Sequence, residues 1–266
     1  DAPPTPMRRW PRPGFRPPPI DSRAARPHLI PMTAATTPLN AIIVPVTAYQ
    51  QNCTLLWCTK TMRGAFVDPG GDIDRLIEAA ASKGVTVEKI LITHGHGDHC
   101  GMAGVLAERL GVPIEGPHKG DAFWIEGLKD AGPRMGLPEA RPFTPDRWLE
   151  HGDTVSVGEL TLNVVHCPGH TPGHVVFHSP DVHLALVGDV LFQGSIGRTD
   201  FPGGNHDQLV RSIVERLWPL GGETAFVPGH GGMSTFGRER QMNPYVCDLA
   251  LGTSGTPAHA FHTINV

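Results

Sequence analysis

Regular hydrophobic patterning begins only near residue 39 of this 266-residue chain. Apolar positions alternate or cluster over 41–46, 54–59 and 64–67, which predicts three strands, the third ending at Asp68-Pro-Gly-Gly. Over 72–82 the spacing lengthens to that of one helix face, Ile73, Leu76, Ile77 and Ala80, and Gly84 closes it. A short apolar strand follows at 88–93, then a helix at 102–110 stopped by Gly111 and Pro113. No regular period runs through 117–148. Strands then dominate, at 154–157, 159–165, 175–177 and 184–187, before a helix at 206–217 and a strand at 224–227. Interleaved elements in two strand-rich halves predict an α/β fold over 39–247, with two sheets stacked face to face and helices outside.

The two ends differ from this body. Residues 1–38 hold 11 of the 27 prolines, six Arg and two Asp. Proline removes backbone donors and fixes φ, so neither a helix nor a sheet ladder is expected there. The Arg8-Arg9 pair has no apolar run after it, and the prolines forbid the amphipathic helix of a transit peptide. We read 1–38 as a disordered extension outside the fold, with Met32 a candidate start for the domain. The Gly/Thr/Ala-rich segment 248–266 reads as a loosely held tail.

Charge and cysteine usage exclude several functions. The net charge of −4 divides into +4 on residues 1–38 and −8 on the rest, so the body has no basic field for nucleic acid. No run of about 18 uncharged apolar residues is present to span a membrane. Five cysteines without paired spacing, in a chain too large to need disulfides, favour a reducing compartment, and the expected location is cytoplasmic. Fifteen histidines point to metal.

The densest cluster is Thr93-His94-Gly95-His96-Gly97-Asp98-His99, directly after a predicted buried strand. Imidazoles at positions i and i+2 of an extended loop point to the same side, so His94 and His96 are placed to share a cation. Asp98 and His99 then turn toward a second position. Neutral imidazole nitrogen and carboxylate oxygen suit zinc-like ions at about 2.0–2.2 Å. Gly95 and Gly97 are expected to keep space clear around the ions. His170, Asp189 and His230 each follow a predicted strand and a glycine. The ligands then divide into His94, His96 and His170 for one metal and Asp98, His99 and His230 for another, with Asp189 bridging. Each ion keeps a position for water, as a catalytic site requires. A solvated polar loop is the competing account, and four ligand-type residues within six positions weigh against it.

The strings THGHGDH, CPGHTPGH, LVGDVLF and VPGHG, in that order, resemble the metallo-β-lactamase superfamily over about residues 41–245. PVTAYQQN (45–52), FVDPGGD (66–72), FTPDRWLEHGD (143–153) and GSIGRTDFPGGNHDQL (194–209) bring the chain nearest to short, YcbL-type members similar to glyoxalase II, the hydroxyacylglutathione hydrolases. The resemblance implies an αββα sandwich of two mixed sheets. It implies two divalent metal ions at one sheet edge, zinc first, with iron or manganese as alternatives. The implied substrate is a small thioester such as S-lactoylglutathione. Water shared by two cations roughly 3.5–4 Å apart ionises near neutral pH and becomes the nucleophile, and the same cations stabilise an oxyanion. Asp98 and Asp189 count as catalytic as well as metal-binding in this scheme.

Other positions follow from the same resemblance. Asp68 matches the family's strand-end aspartate, with a supporting role. In longer glyoxalase II enzymes a basic residue in the loop after the bridging aspartate contacts a glutathione carboxylate, and Arg198 stands there in this chain. A pair within the loop, Arg198 with Asp200, is the alternative. With 36 residues after His230, the helical C-terminal domain of the long enzymes is expected to be absent. His174 is expected to pack or hydrogen bond near the site, and Cys100 and Cys167 to be small buried residues. A persulfide dioxygenase, with one iron held by two His and one Asp, is the rival reaction class, and a lactonase or β-lactamase-like hydrolase a further alternative.

Overall fold

A computed structural model describes residues 38–252 and the backbone of a two-residue strand, His28–Leu29. The first sheet contains, in spatial order, β1 (His28–Leu29), β2 (Leu39–Val46), β3 (Gln51–Cys58), β4 (Arg63–Val67), β5 (Thr86–Leu91) and β6 (Ile114–Glu115). β1 to β4 pair antiparallel in succession, and β5 pairs in parallel with β4 and β6 with β5. Helices α1 (Ile73–Lys83), α2 (Gly97–Cys100) and α3 (Ala103–Leu110) lie between these strands in sequence, followed by α4 (Ala122–Glu126) and α5 (Leu128–Ala131). The second sheet is built from β7 (Thr154–Val157), β8 (Leu160–His166), β9 (Val175–Ser179) and β10 (Leu184–Gly188). After a small hairpin, β11 (Leu191–Phe192) with β12 (Ser195–Ile196), helix α6 (His206–Ser212) runs on through a π-type turn at Ile213–Leu217. Strands β13 (Ala225–Pro228) and β14 (Ser234–Thr235) complete the second sheet beside β10, and α7 (Phe236–Met242) follows.

Period-two alternation sorts side chains into layers. In β2, Ala41 and Ile43 join the apolar layer between the sheets, while Ile42, Val44 and Val46 join the layer under α1 and α3. In β8, Leu160, Leu162 and Val164 face inward and Thr161 and Asn163 are exposed. The outer face of the second sheet, with Val176, Ala185 and Val187, packs against Leu209, Ile213 and Leu217 of the α6 region. Each fully buried Leu, Val or Phe contributes roughly 1.5–3 kcal/mol, so three apolar layers hold the αββα sandwich. Two mixed sheets with helices outside were expected, and that is the architecture.

Three expectations need correction. His28–Leu29 forms an antiparallel ladder with Ile42–Ile43, although no ladder was expected in 1–38. Both residues carry backbone donors and sit between Pro27 and Pro31, so nothing in proline chemistry prevents this short pairing. Of the rest of that extension only Pro38 is described, and residues 253–266 lie outside the described residues. The stretch 117–148 holds two short helices, and 236–242 is a further helix with no sequence forecast. Residues 248–252 are held, since the Asp248 backbone N–H donates to the Arg240 carbonyl and its carboxylate pairs with the Arg240 guanidinium.

Candidate metal centre

All seven expected ligands come to one edge of the sandwich, on the segments that follow β5, β8, β10 and β13. Three ring nitrogens converge first: His96 Nδ1 lies 3.1 Å from His94 Nε2 and 3.0 Å from His170 Nε2. In the second group, His230 Nε2 lies 3.1 Å and His99 Nε2 3.9 Å from Asp98 Oδ2. Within each group the ligand-type atoms fall within 4.8 Å of one another. Asp189 stands between them. Its Oδ1 is 3.3 Å from His99 Nε2, and its Oδ2 is 3.6 Å from His170 Nε2 and 3.8 Å from His230 Nε2.

The second nitrogen of each ring shows what orients it. His94 Nδ1–H donates to Thr93 Oγ1 at 3.0 Å, and His170 Nδ1–H to the Arg198 carbonyl at 2.7 Å. His230 Nδ1–H donates to the Tyr49 carbonyl at 3.1 Å, and His99 Nδ1–H to Asp68 Oδ2 at 2.9 Å. Each of these four rings therefore turns Nε2 toward the cluster, where its lone pair is available once that nitrogen carries no proton. His96 turns Nδ1 instead, its ring wedged edge-on against Trp124 and Phe201.

Asp68 sits behind the cluster with φ 57° and also accepts from the Thr93 backbone N–H at 2.7 Å and the Thr93 hydroxyl at 2.5 Å. Asp68 shares a third ligand-type group with His94 and His99, but its oxygens are already engaged by Thr93 and His99. His174 is fully buried, stacks on His94 and accepts the Asp189 backbone N–H at 3.0 Å through Nε2. Gly229 is required by proximity, because a Cβ there would fall on Asp189 Oδ1 and the His99 ring. Gly95 and Gly97 clear space for a different reason than expected. A Cβ at Gly95 would strike Trp124 Cβ at 2.7 Å, and one at Gly97 would strike Met135 Sδ at 2.8 Å. These glycines admit the α4–α5 segment against the ligand loop.

Sequence reasoning missed Asp121. This fully buried carboxylate accepts from the Gly95 N–H at 2.8 Å, the Thr171 hydroxyl at 2.7 Å and the Gly173 N–H at 2.5 Å. It thereby ties the loop of His94 and His96 to the loop of His170. Asn52 was also passed over as a separate residue; its side-chain amide donates to the Pro228 and Gly231 carbonyls on either side of His230, at 3.0 and 2.9 Å. Their partners are remote in sequence, so no local signal marks either one.

Charge divides the cluster. Burial lowers the pKa of His94, His96 and His170, and the neighbouring imidazoles lower the first two further, His96 to about 3. Those rings are neutral electron-pair donors. Burial also opposes charge on His99 and His230, yet Asp189 and Asp98 outweigh it and raise both. Burial would raise Asp189 and Asp98, but the surrounding imidazoles, His99 foremost, hold both below the usual carboxylate range. The second group thus attracts positive charge. His96 Nε2, His99 Nε2 and Asp189 Oδ1 are buried without a hydrogen-bond partner, a state that costs about 1–3 kcal/mol per group. A donor set of imidazole and carboxylate, with Nε2 of His99 and Oδ1 of Asp189 both unsatisfied, fits divalent cations.

A cavity of about 660 Å³ opens onto His96, Asp98, His170, Asp189 and His230. Arg198 lines it, with its guanidinium paired to Asp200 through Nε at 2.7 Å and Nη2 at 2.6 Å. The same group lies 4.1 Å over the Phe201 ring.

Comparison with known proteins agrees with this geometry. Hydroxyacylglutathione hydrolase GloC of Haemophilus influenzae is 42% identical over 209 residues, covering 78% of this chain and 98% of that protein. The crystal structure of BLEG-1 B3 metallo-beta-lactamase superimposes with a TM-score of 0.71 at 32% identity, covering 77% of this chain and 99% of that one. TTHA1623, solved in a di-iron-bound form, superimposes with a TM-score of 0.69 at 36% identity, with the same 77% and 99% coverage. The profile described as the metallo-beta-lactamase superfamily matches residues 46–230, a span that begins in β2 and ends on the last converging histidine. The chain therefore belongs to the metallo-β-lactamase superfamily.

Proposed function

We propose that this protein is a dinuclear metal-dependent hydrolase that cleaves small thioesters in the manner of glyoxalase II. The observation that carries the reading is Asp189, whose carboxylate stands between the two ligand groups at the floor of a substrate-sized cavity, Oδ1 toward His99 and Oδ2 toward both His170 and His230. His94, His96 and His170 would hold one ion, Asp98, His99 and His230 the other, and Asp189 both. Divalent ions bound there would acidify a water molecule and polarise the thioester carbonyl. The protein's own part is orientation. Asp68, Thr93 and the carbonyls of Tyr49 and Arg198 fix the imidazole tautomers, and Asp121 fixes the two loops of the first group relative to each other. A thiolate leaving group departs without a protonating acid, and the scheme assigns none. Zinc is the ion we assign first, and the similarity to GloC supports thioester chemistry. A cytoplasmic location belongs to the same proposal, supported by five unpaired, buried cysteines.

Elemental analysis with a panel of thioesters and lactones tests this. The expected result is two metal equivalents per chain and hydrolysis of thioesters, S-lactoylglutathione among them. One tightly bound iron, with oxygen uptake on glutathione persulfide and no thioester cleavage, would replace the reading with a persulfide dioxygenase.

A further inference from the structure

The cavity has a wall that the thioester reading leaves unused. Phe123, Trp124, Leu128, Ala131 and Met135 project from the α4–α5 segment and the turn after it, and Phe201 faces them from the loop beyond β12. Trp124 and Phe201 both touch the His96 ring, so the apolar surface begins at the first ligand group. It continues to the rim. Phe123 is 43% exposed and Tyr49, which also lines the cavity, is 49% exposed; among the described residues the other exposed large apolar or aromatic side chains, Met242, Tyr245 and Leu249, lie in the C-terminal segment and do not line the cavity. Exposed aromatic groups at the mouth of a pocket mark a surface that an apolar ligand covers.

Charge points the same way. A glutathione thioester presents two carboxylates, which need cations to receive them. Among the described lining residues the one Lys or Arg is Arg198, and Asp200 already neutralises its guanidinium with a bidentate pair. An incoming carboxylate would have to displace Asp200 and would meet its charge.

Resting on the thioester-hydrolase reading, we propose that the pocket selects an uncharged thioester with a bulky apolar arm laid along Phe123, Trp124 and Phe201, in preference to glutathione conjugates. Binding and turnover are measured separately on the metal-loaded protein. For binding, calorimetry compares S-hexylglutathione with the S-hexyl thioether of N-acetylcysteamine, which carries the same hexyl arm and no charge. The neutral thioether is expected to bind at least about tenfold more tightly, and its affinity to rise from butyl to octyl as more methylene surface is covered. Phe123→Ser, at an exposed position where unfolding is not expected, should flatten that chain-length dependence while elemental analysis still finds both metals. Phe123→Leu should restore it. Equal or tighter binding of S-hexylglutathione, or affinity indifferent to chain length, would overturn the proposal.

For turnover, hexanoyl-glutathione is compared with hexanoyl-N-acetylcysteamine. A kcat/KM higher for the neutral ester supports the proposal, and one higher for the glutathione ester overturns it. If the thioethers bind in the expected order and neither thioester is cleaved, the apolar selectivity stands and the thioesterase reading falls.

Discussion

At the scale of single residues, the chemistry turns on how few atoms separate two sites. Asp189 Oδ1 faces His99 and Oδ2 faces both His170 and His230, so on the dinuclear reading one carboxylate would set the relation between both ions. Asp189→Ala should therefore lose metal from both groups at once, with less than one equivalent retained by elemental analysis. Thioester hydrolysis should fall by about a thousandfold or more, because on the proposed reading the ions would supply both the nucleophile and the polarisation. His174 holds the Asp189 backbone and stacks on His94, yet it gives no ligand atom to either group. Retention of one tightly held metal with most of the activity in Asp189→Ala would show that the groups act independently. Arg198 illustrates the opposite case. Its place in the loop suits a glutathione anchor or half of a loop pair, and in the structure it pairs with Asp200.

At the scale of elements, the important contact is made by a residue at the start of a five-residue helix. Asp121, just before α4, receives three donors from two ligand loops, yet burial outweighs those hydrogen bonds and raises its pKa to about 6. The ordinary value for Asp is about 3.9. A raised folded pKa means that the folded state keeps the proton longer than the unfolded one. The stability this contributes is complete below about pH 4 and is lost as pH rises through about 6. Asp121→Asn does not titrate there, so the wild type's advantage over the variant should be larger at pH 4.5 than at pH 7, by on the order of 2 kcal/mol. Urea unfolding of the chelated proteins at both pH values measures the gap, and a gap independent of pH would refute the assignment. The ligand loops were legible in the sequence because a His or Asp after a strand and a glycine needs no tertiary information to be noticed. Asp121 was not, since its partners lie 26 and 50–52 residues away. The apolar wall was hidden for a related reason: α4 and α5 are too short to show a helical period, and Phe123 and Trp124 gain meaning only beside Phe201. Phe236–Met242 buries only Phe236 and Glu239, too little for a periodic signal, so α7 escaped notice. Longer elements such as β2, α1 and β8 carry an unbroken apolar run, a full helix face or full alternation, and their presence was read correctly.

At the scale of the molecule, the metal centre lies where the two sheets meet. His94, His96, Asp98 and His99 follow β5 of the first sheet, while His170, Asp189 and His230 follow strands of the second. Each ion would therefore draw ligands from both halves. Protein contacts cross the same edge: the Asn52 N–H donates to the Gly229 carbonyl at 2.7 Å, and the Val175 N–H to the Thr93 carbonyl at 2.8 Å. Without cations, Asp98 and Asp189 remain as partly compensated buried charges, and only protons on His99 and His230 offset them. Metal bound solely to the folded state stabilises it by about 4 kcal/mol when free metal exceeds Kd a thousandfold, and a domain of this size shifts by roughly 2–4 °C per kcal/mol. Removing the metals with a chelator should lower Tm by about 10 °C or more, and zinc added back should restore it. The shift should shrink on acidification. Metal must displace the protons held by His99 and His230, and lower pH makes that displacement harder. Calorimetric scans at pH 6 and pH 8, with and without chelator, read both effects together. A Tm unmoved by verified metal removal would mean that the peptide contacts across the edge, and not the ions, join the two halves.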